Sequence, residues 1–471
     1  MLNNIKKTIA YARRNGITDA VMAAAERIHD QRADNYTYEP PAEEELEKQR
    51  KWYRALLNDA KKSKMLPLIS IIVPCYNTDK EFLKAMIDSV IGQTYGKWEL
   101  ILAEAPVAVK RADGKTVHTY PLRDTIGEYH VRDGRVRYLH LKSNAGISEN
   151  TNGALDIARG DYIALLDHDD LLTPDALCEV SIAAIKNYPR LIYSNEDKCD
   201  AEGKTFFQCH KKPSFNPDLF LSNNYICHFT TIRADVIFGC RFRSEYDGAQ
   251  DYDLFLRAIG DTMWDTKNAK KQVVHIPKVL YHWRCHDNST SANPASKEYA
   301  YKAGQNAVAD FLKTHDIEAD VEQLKHVGFY RVQYKDDIFS SRKDLGVIGG
   351  KLVDRNGAIV GGNYKENGNV RYDKLPKGFS GGYQHLAVLQ QNAEAVDYRC
   401  MKIRPELYDL YRQTFDMTYS DTTNDDGKRV SFSKLTDEQE IRQKSIQFCK
   451  KVREMGYRVM WDPELVRTLN N

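Results

Sequence analysis

The chain has 471 residues, 42% of them hydrophobic and 28% charged, and a formal net charge of +2. That length exceeds what one hydrophobic core usually fills, so two or more domains are expected. The near-neutral balance excludes a general polyanion binder, so nucleic acid is not an expected partner.

Nine cysteines are scattered without paired spacing. An odd count with no Cys-x-x-Cys points to free thiols in a reducing compartment. The opening residues Met1-Leu2-Asn3-Asn4-Ile5-Lys6-Lys7 lack a signal-peptide pattern. No apolar run approaches the roughly 18 residues of a membrane span. The expected location is therefore cytoplasmic, with membrane association at most peripheral, at the inner face.

Residues 1–65 read as a polar helical segment, interrupted by Pro40-Pro41. Glu43 to Lys64 carries Trp52, Leu56 and Leu57 as an apolar stripe. Leu68-Ile69-Ser70-Ile71-Ile72-Val73 is a continuous apolar strand that turns at Pro74-Cys75-Tyr76-Asn77. Thr78 and Glu81 form a capping box for the next helix. Trp98 to Leu102 and Val136 to Leu139 are further strands, and Ile147 to Ala158 is a helix. Between them, residues 104–135 interrupt the rhythm, as a surface insertion or a substrate-covering loop.

Tyr162 to Leu166 is a buried strand that ends in Asp167-His168-Asp169-Asp170. Three carboxylates at a strand end are costly to desolvate without a cation or hydrogen bonds. The carboxyl ends of strands are also where open α/β sheets bind ligands. Hard oxygen ligands suit Mg²⁺ or Mn²⁺. Capping of the following helix is the plainer alternative. Thr173 and Pro174 supply that helix's N-cap and first residue. Leu191-Ile192-Tyr193 is another strand, and Glu196 to Arg243 is irregular. Gln250 to Arg257 is a turn into a helix, Val279 to His286 follows, and residues 297–313 are helical. Strands alternating with helices predict a parallel, doubly wound sheet.

Four signatures stand in order: Ser70 to Asn77; Asn144-Ala145-Gly146-Ile147-Ser148 with Asn152; Asp167 to Asp170; and Gln250-Asp251-Tyr252-Asp253-Leu254. The run from Leu68 to about Ser291 thereby resembles the family-2 glycosyltransferases of the GT-A fold. Tyr193-Ser194-Asn195-Glu196-Asp197-Lys198 and Tyr281-His282-Trp283-Arg284 look like bacterial enzymes of surface-polysaccharide assembly.

The resemblance implies a doubly wound, Rossmann-like mixed sheet over residues 66–330. It implies an inverting, metal-dependent transfer from a nucleotide sugar, UDP- or dTDP-linked, to a glycan or lipid-linked glycan. Asp169 is then the metal ligand, and Asp167 meets the ribose or the metal's water. Pro74, Tyr76, Asn77, Asn144, Gly146 and Asn152 border the nucleotide, with Tyr76 stacking on the base. Asp251 is the general base. His282 matches the family's metal-binding His position and is taken as the second ligand, with His286 near the phosphates. Where the family carries two adjacent Asp residues, this chain has Ala103-Glu104-Ala105-Pro106. Glu104 is expected to replace the first Asp at the nucleobase or ribose.

Residues 331–471 resemble the acceptor half of a second family-2 domain, through Gly346 to Val353 and Arg453 to Trp461. Its nucleotide half is missing, and Ser445-Ile446-Gln447-Phe448-Cys449 stands where an acidic pair would precede a helix. This third is expected to be catalytically dead. Positioning acceptor, holding a homodimer and serving as a structural remnant are the roles it leaves open. A sugar-nucleotide pyrophosphorylase would need a Gly-rich loop after the first strand, and Pro74-Cys75-Tyr76-Asn77 has no glycine. The other alternative is a non-catalytic nucleotide-sugar or glycan-binding scaffold.

Overall fold

The computed structural model describes residues 11–13, 15–33, 35–286, 298–423, 435 and 437–469. The last residues of the signature run, 287–291, therefore lie outside the described residues.

The main sheet is built from β1 (Ile69–Cys75), β2 (Trp98–Glu104), β3 (Val136–His140), β4 (Tyr162–Leu165), β5 (Leu171–Leu172), β6 (Leu191–Cys199), β7 (Phe206–His210), β8 (Thr230–Arg233) and β9 (Val273–Arg284). Their order is β3-β2-β1-β4-β8-β6-β9-β5, with β7 paired to β6. β1 runs parallel to β2 and β4, and β6 runs parallel to β9. β8 is antiparallel to both its neighbours, β4 and β6. The sheet is thus mixed, with one reversed strand at its centre that alternation alone did not predict. Thr230–Arg233 has four residues and lies inside the stretch read as irregular.

Successive residues of a strand point to opposite faces, and the central strands serve two cores. Ile72, Ile101 and Ile163 enter one; Ile71, Val73, Leu100, Leu102 and Ala164 enter the other. This explains the unbroken apolar runs: a strand covered on both sides has no polar face. Each of these Ile, Val and Leu side chains contributes roughly 1.5–3 kcal/mol on burial. α1 (Ile17–Ala33) and α2 (Glu43–Leu57) precede the sheet; α3 (Lys80–Ile91), α4 (Arg123–Arg132), α5 (Ile147–Asp156), α6 (Ala176–Asn187) and α7 (Gln250–Ile259) are threaded through it. α3 and α6 cover the second core, and α5 and α7 the first.

Two helix starts differ from expectation. Asp79 caps α3, its side chain accepting from Glu81 N and Phe82 N, and Thr78 is buried without a partner for its hydroxyl. α6 begins two residues beyond Pro174, and the Thr173 hydroxyl donates to Asp175 instead. Residues 104–135 hold a β-hairpin, Val107–Lys110 with Thr116–Thr119, followed by α4.

The N-terminal helices pack on both later regions. In α2, Gln49 donates to Glu179 and Glu45 pairs with Lys278. In α1, Asp19 pairs with Lys325 and Glu26 accepts from Ser380. All nine cysteines are free thiols. Among the described residues, no helix is long and apolar enough to cross a membrane.

After α8 (Glu298–Thr314) comes a second, smaller sheet of β10 (Leu345–Val353), β11 (Ile359–Gly361), β12 (Gln391–Asn392), β13 (Met401–Ile403) and β14 (Arg458–Thr468), with α9 (Glu438–Glu454) against it. β10 and β14 are parallel. Ser445 and Gln447 lie in the middle of α9, not ahead of a helix. Ser445 is buried, its hydroxyl oxygen accepting from Tyr398 N, while Gln447 faces solvent. The smaller sheet docks on the first unit through buried charge: Arg342 donates to Asp218 at 2.7 Å and to Asp344 at 2.9 Å.

Candidate active site at the carboxyl end of the main sheet

The three carboxylates follow β4 and meet different surroundings. Asp167 keeps 56% of its side chain exposed. Asp170 is buried, accepting from the Tyr281 hydroxyl and from Arg284 N at 2.7 Å. Burial, with Asp167 and Asp169 close by, pushes the Asp170 carboxyl well above the usual range. Asp169 lies between, its Oδ2 3.0 Å from His286 Nε2. Arg284 steadies that loop, donating from Nε to the Asp169 carbonyl at 2.5 Å. Phe82 of α3 packs against the His286 ring at 5.0 Å.

His282 lies elsewhere, and the structure does not bring it together with Asp169. It is 4% exposed, its Nδ1 is 2.5 Å from Asp197 Oδ1, and Tyr38 and Phe206 pack on its ring. The cause is strand alternation. His282 pairs in register with Asp197, and the preceding pair is Tyr281 with Glu196. Tyr281 and Glu196 face the carboxylates; His282 and Asp197 face the other way. Tyr36, from the segment before α2, donates to Asp197 at 2.7 Å and seals that side.

On the carboxylate side, Glu196 is almost fully buried and carries several donors. Its Oε2 accepts from His228 N at 2.5 Å and lies 3.2 Å from His228 Nδ1 and 3.4 Å from Lys212 Nζ. Its Oε1 is 3.3 Å from His210 Nδ1. Burial opposes charge on Glu196, but Lys212, His210 and His228 together hold its carboxyl well below the usual value. The His228 ring stacks on Tyr281 at 4.9 Å, and its Nε2 faces Asp167 Oδ2 at 3.7 Å.

Asp251 sits in the first turn of α7, half-buried, with Oδ2 accepting from Asn224 Nδ2 at 2.9 Å. Asp253 is turned into the protein and takes the guanidinium groups of Arg243 and Arg257. Tyr76 is 48% exposed just past β1, beside Asn77, whose φ is +50°. Pro74 is half-buried within β1.

The Asn-x-Gly loop has a structural use for each residue. Asn144 Oδ1 accepts from Asn150 Nδ2 at 2.9 Å and from Gly146 N at 3.3 Å. Gly146 has φ +94°, and a Cβ there would lie 2.6 Å from Asp247 Oδ2. Asn152 is placed inside the protein beside Phe242. Its buried amide pairs both ways with the Phe242 backbone, at 3.0 Å each.

Glu104 is likewise placed inside the protein. It is 1% exposed, its Oε1 accepts from Leu122 N at 2.9 Å and its Oε2 from the Tyr138 hydroxyl. The carboxylate anchors the start of α4. Sequence reasoning assigned no role to Asn224, Lys212 or His228. They fall in the irregular stretch, where no period marks which side chains point inward.

A divalent ion fits this donor set only in part from protein. Among the described residues, no three His, Cys, Asp or Glu groups converge as a ready cation site. Asp169 and His286 do offer an oxygen and a nitrogen 3.0 Å apart. Mg²⁺-like ions commonly take one or two carboxylates and complete their shell with substrate phosphates and water. A two-residue anchor next to a partly exposed Asp167 suits that pattern.

The family model for glycosyl transferase family 2 matches residues 70–247. An uncharacterised protein of Sinorhizobium fredii, y4gI, is 36% identical over 324 residues, covering 66% of this chain and 34% of that protein. The O-antigen biosynthesis protein RfbC of Myxococcus xanthus is 31% identical over 273 residues, 57% of this chain and 20% of that one. This chain therefore spans about a third or less of either relative. WcaA of Escherichia coli, a glycosyl transferase named for colanic acid biosynthesis, is 30% identical over 219 residues, 45% of this chain and 73% of WcaA. The matched span carries the strand end, the three carboxylates and the Glu196–His228 pair, and on this agreement the chain belongs to glycosyl transferase family 2.

Proposed function

We propose that the chain transfers a sugar, with inversion, from a UDP- or dTDP-linked donor to a glycan or lipid-linked glycan in bacterial cell-surface polysaccharide synthesis. The observation that carries this is one sheet end bearing the Asp169–His286 pair, the Asp251–Asn224 pair and the exposed ring of Tyr76. The relatives' names, O-antigen and colanic acid biosynthesis, support the class of product. The free thiols fit a reducing cytoplasm, with the enzyme at most peripheral to the membrane's inner face.

Asp169 and His286 would hold Mn²⁺ or Mg²⁺, which when bound supplies positive charge against the departing diphosphate. Tyr76 offers a ring face to the base. Asp167, half-exposed, accepts hydrogen bonds from donor hydroxyls. The Asp251 carboxylate takes the proton of the attacking acceptor hydroxyl, and the Asn224 amide fixes its orientation. One displacement inverts the anomeric centre and needs no covalent intermediate. Residues 66–330 form the transferase unit in this reading, and residues 331–471 a degenerate partial one without chemistry.

A binding scaffold in the same pathway is the second reading, favoured by the one observation that Glu104 is sequestered. Calorimetry with UDP and dTDP, each with and without Mn²⁺, tests the donor assignment. Mn²⁺-dependent binding of one of them is expected, and binding of neither would refute it.

A further inference from the structure

The Lys212–Glu196–His228 cluster is a buried ionic group beneath the carboxylates, and the proposed chemistry leaves it without a task. Buried ion pairs are poor stabilisers, because desolvation offsets their attraction. Clusters of titratable groups at a cleft are candidates for a functional role. Lys212 has a fully buried side chain and donates to two loop carbonyls, Ile226 at 3.0 Å and His228, besides pairing with Glu196. It therefore fixes the loop that carries His228. Glu196 in turn receives both the backbone N–H and the Nδ1 of His228.

The ring of His228 is thus held on three sides: Glu196 at one nitrogen, Tyr281 on its face at 4.9 Å, and Trp283 at 5.9 Å. The Cys227 side chain also reaches the ring, and Nε2 faces Asp167 Oδ2 at 3.7 Å. A neutral imidazole that gives its proton to Glu196 turns a lone pair toward the Asp167 carboxylate. Two carboxylates facing two ring nitrogens call for a proton on each.

We propose that His228 is a positioning residue: as an imidazolium bridging Glu196 and Asp167, it fixes the Asp167 carboxylate for the donor. The inference rests on the nucleotide-sugar reading of the site, but the bridge itself is testable without any nucleotide. Asp167 is the most exposed of the three carboxylates, and the end of β9 that supplies His286 to Asp169 and Tyr281 and Arg284 to Asp170 gives Asp167 no hydrogen bond among the described residues. His228 supplies what that strand end does not. Lys212 and Glu196 act at one further remove, through the loop and the ring.

Two measurements test this. The first is ¹⁵N spectroscopy of the histidine side chains of the ligand-free full chain at pH 7.5. Both His228 nitrogens are expected to be protonated, and Glu196→Gln should return the ring toward ordinary titration. A neutral His228 ring in the wild-type protein would overturn the bridge, whatever nucleotides do. The second is the affinity for UDP with Mn²⁺ present, measured on folded His228→Gln, Asp167→Asn and the double variant. His228→Gln is expected to weaken UDP about 5- to 20-fold, as for the loss of one coupled charged neighbour at 3.7 Å. In the Asp167→Asn background it should add little, because contacting residues couple. Losses that simply multiply, or UDP affinity unchanged in His228→Gln, would overturn the positioning role. A wild-type chain with a charged His228 that binds neither UDP nor dTDP would refute the donor reading while supporting the bridge.

Discussion

Nε2 of His286 lies 3.0 Å from Oδ2 of Asp169, whereas His282, four residues earlier on the same strand end, contacts Asp197 behind the sheet. The two histidines therefore should respond differently to substitution. His286→Gln is expected to raise the Mn²⁺ concentration for half-maximal UDP binding about 10- to 100-fold. His282→Gln should leave that concentration unchanged and lower stability by about 1–3 kcal/mol, since buried Asp197 loses a partner. Metal titrations and urea unfolding of both variants check this. The reverse pattern would return the ligand role to His282.

The smaller sheet is tied to the main sheet's unit by a buried charge. Arg342 is completely buried and pairs with Asp218 and Asp344. Arg342→Ala leaves buried Asp218 without its guanidinium partner, with only the Asn392 amide still donating at 2.9 Å, which costs about 3–5 kcal/mol. Urea unfolding is the measurement, and a loss below about 1 kcal/mol would show that this contact does not hold the two sheets together.

Ser445 and Gln447 lie inside α9, remote from the carboxylates of the main sheet. Ser445→Ala and Gln447→Ala should both retain full donor turnover. The first removes one buried hydrogen-bond acceptor from Tyr398 N and should cost about 1 kcal/mol of stability. A large fall in turnover by a folded variant would overturn the reading of residues 331–471 as inert.

Stability should decline on mild acidification. His275 Nε2 donates to Asn195 Oδ1 at 2.9 Å, and burial followed by nearby Lys212 lowers its pKa to about 4. An unfolded histidine titrates near ~6.5. Between those values the unfolded chain binds the extra proton, so the contribution is complete above the unfolded value and is lost as pH falls toward 4. Unfolding free energies measured from pH 7 to 4 should slope less in His275→Gln than in the wild type. Equal slopes would mean that His275 is not held neutral.

Much of this architecture is written in local pattern. β1 and β2 announce themselves because both faces are covered, which leaves continuous apolar runs. The three carboxylates stand out because charge directly after such a run has a cost that needs a reason. What failed to show was pairing between distant residues. Glu104 looks available until α4 brings Leu122 N to it, and Asn152 until Phe242 does. His282 and His286 have the same strand parity, and what separates them is that the strand ends at Arg284, so His286 turns toward Asp169 while His282 stays paired with Asp197; spacing does not report where a strand ends. The reversed strand β8 is too short, and its surroundings too polar, to carry a period.

The central claim is sugar transfer with Asp251 as the base. The most direct test measures UDP or dTDP release from a panel of nucleotide sugars, with Mn²⁺ and a glycan acceptor, by wild type and by Asp251→Asn. Asparagine keeps the shape beside Asn224 and removes the basicity. Wild type should turn over at least one donor, and the variant should lose about 10²–10⁴ in kcat while its donor Kd stays within a few-fold. Release from no donor by wild type, or an undiminished kcat in the variant, would contradict the account.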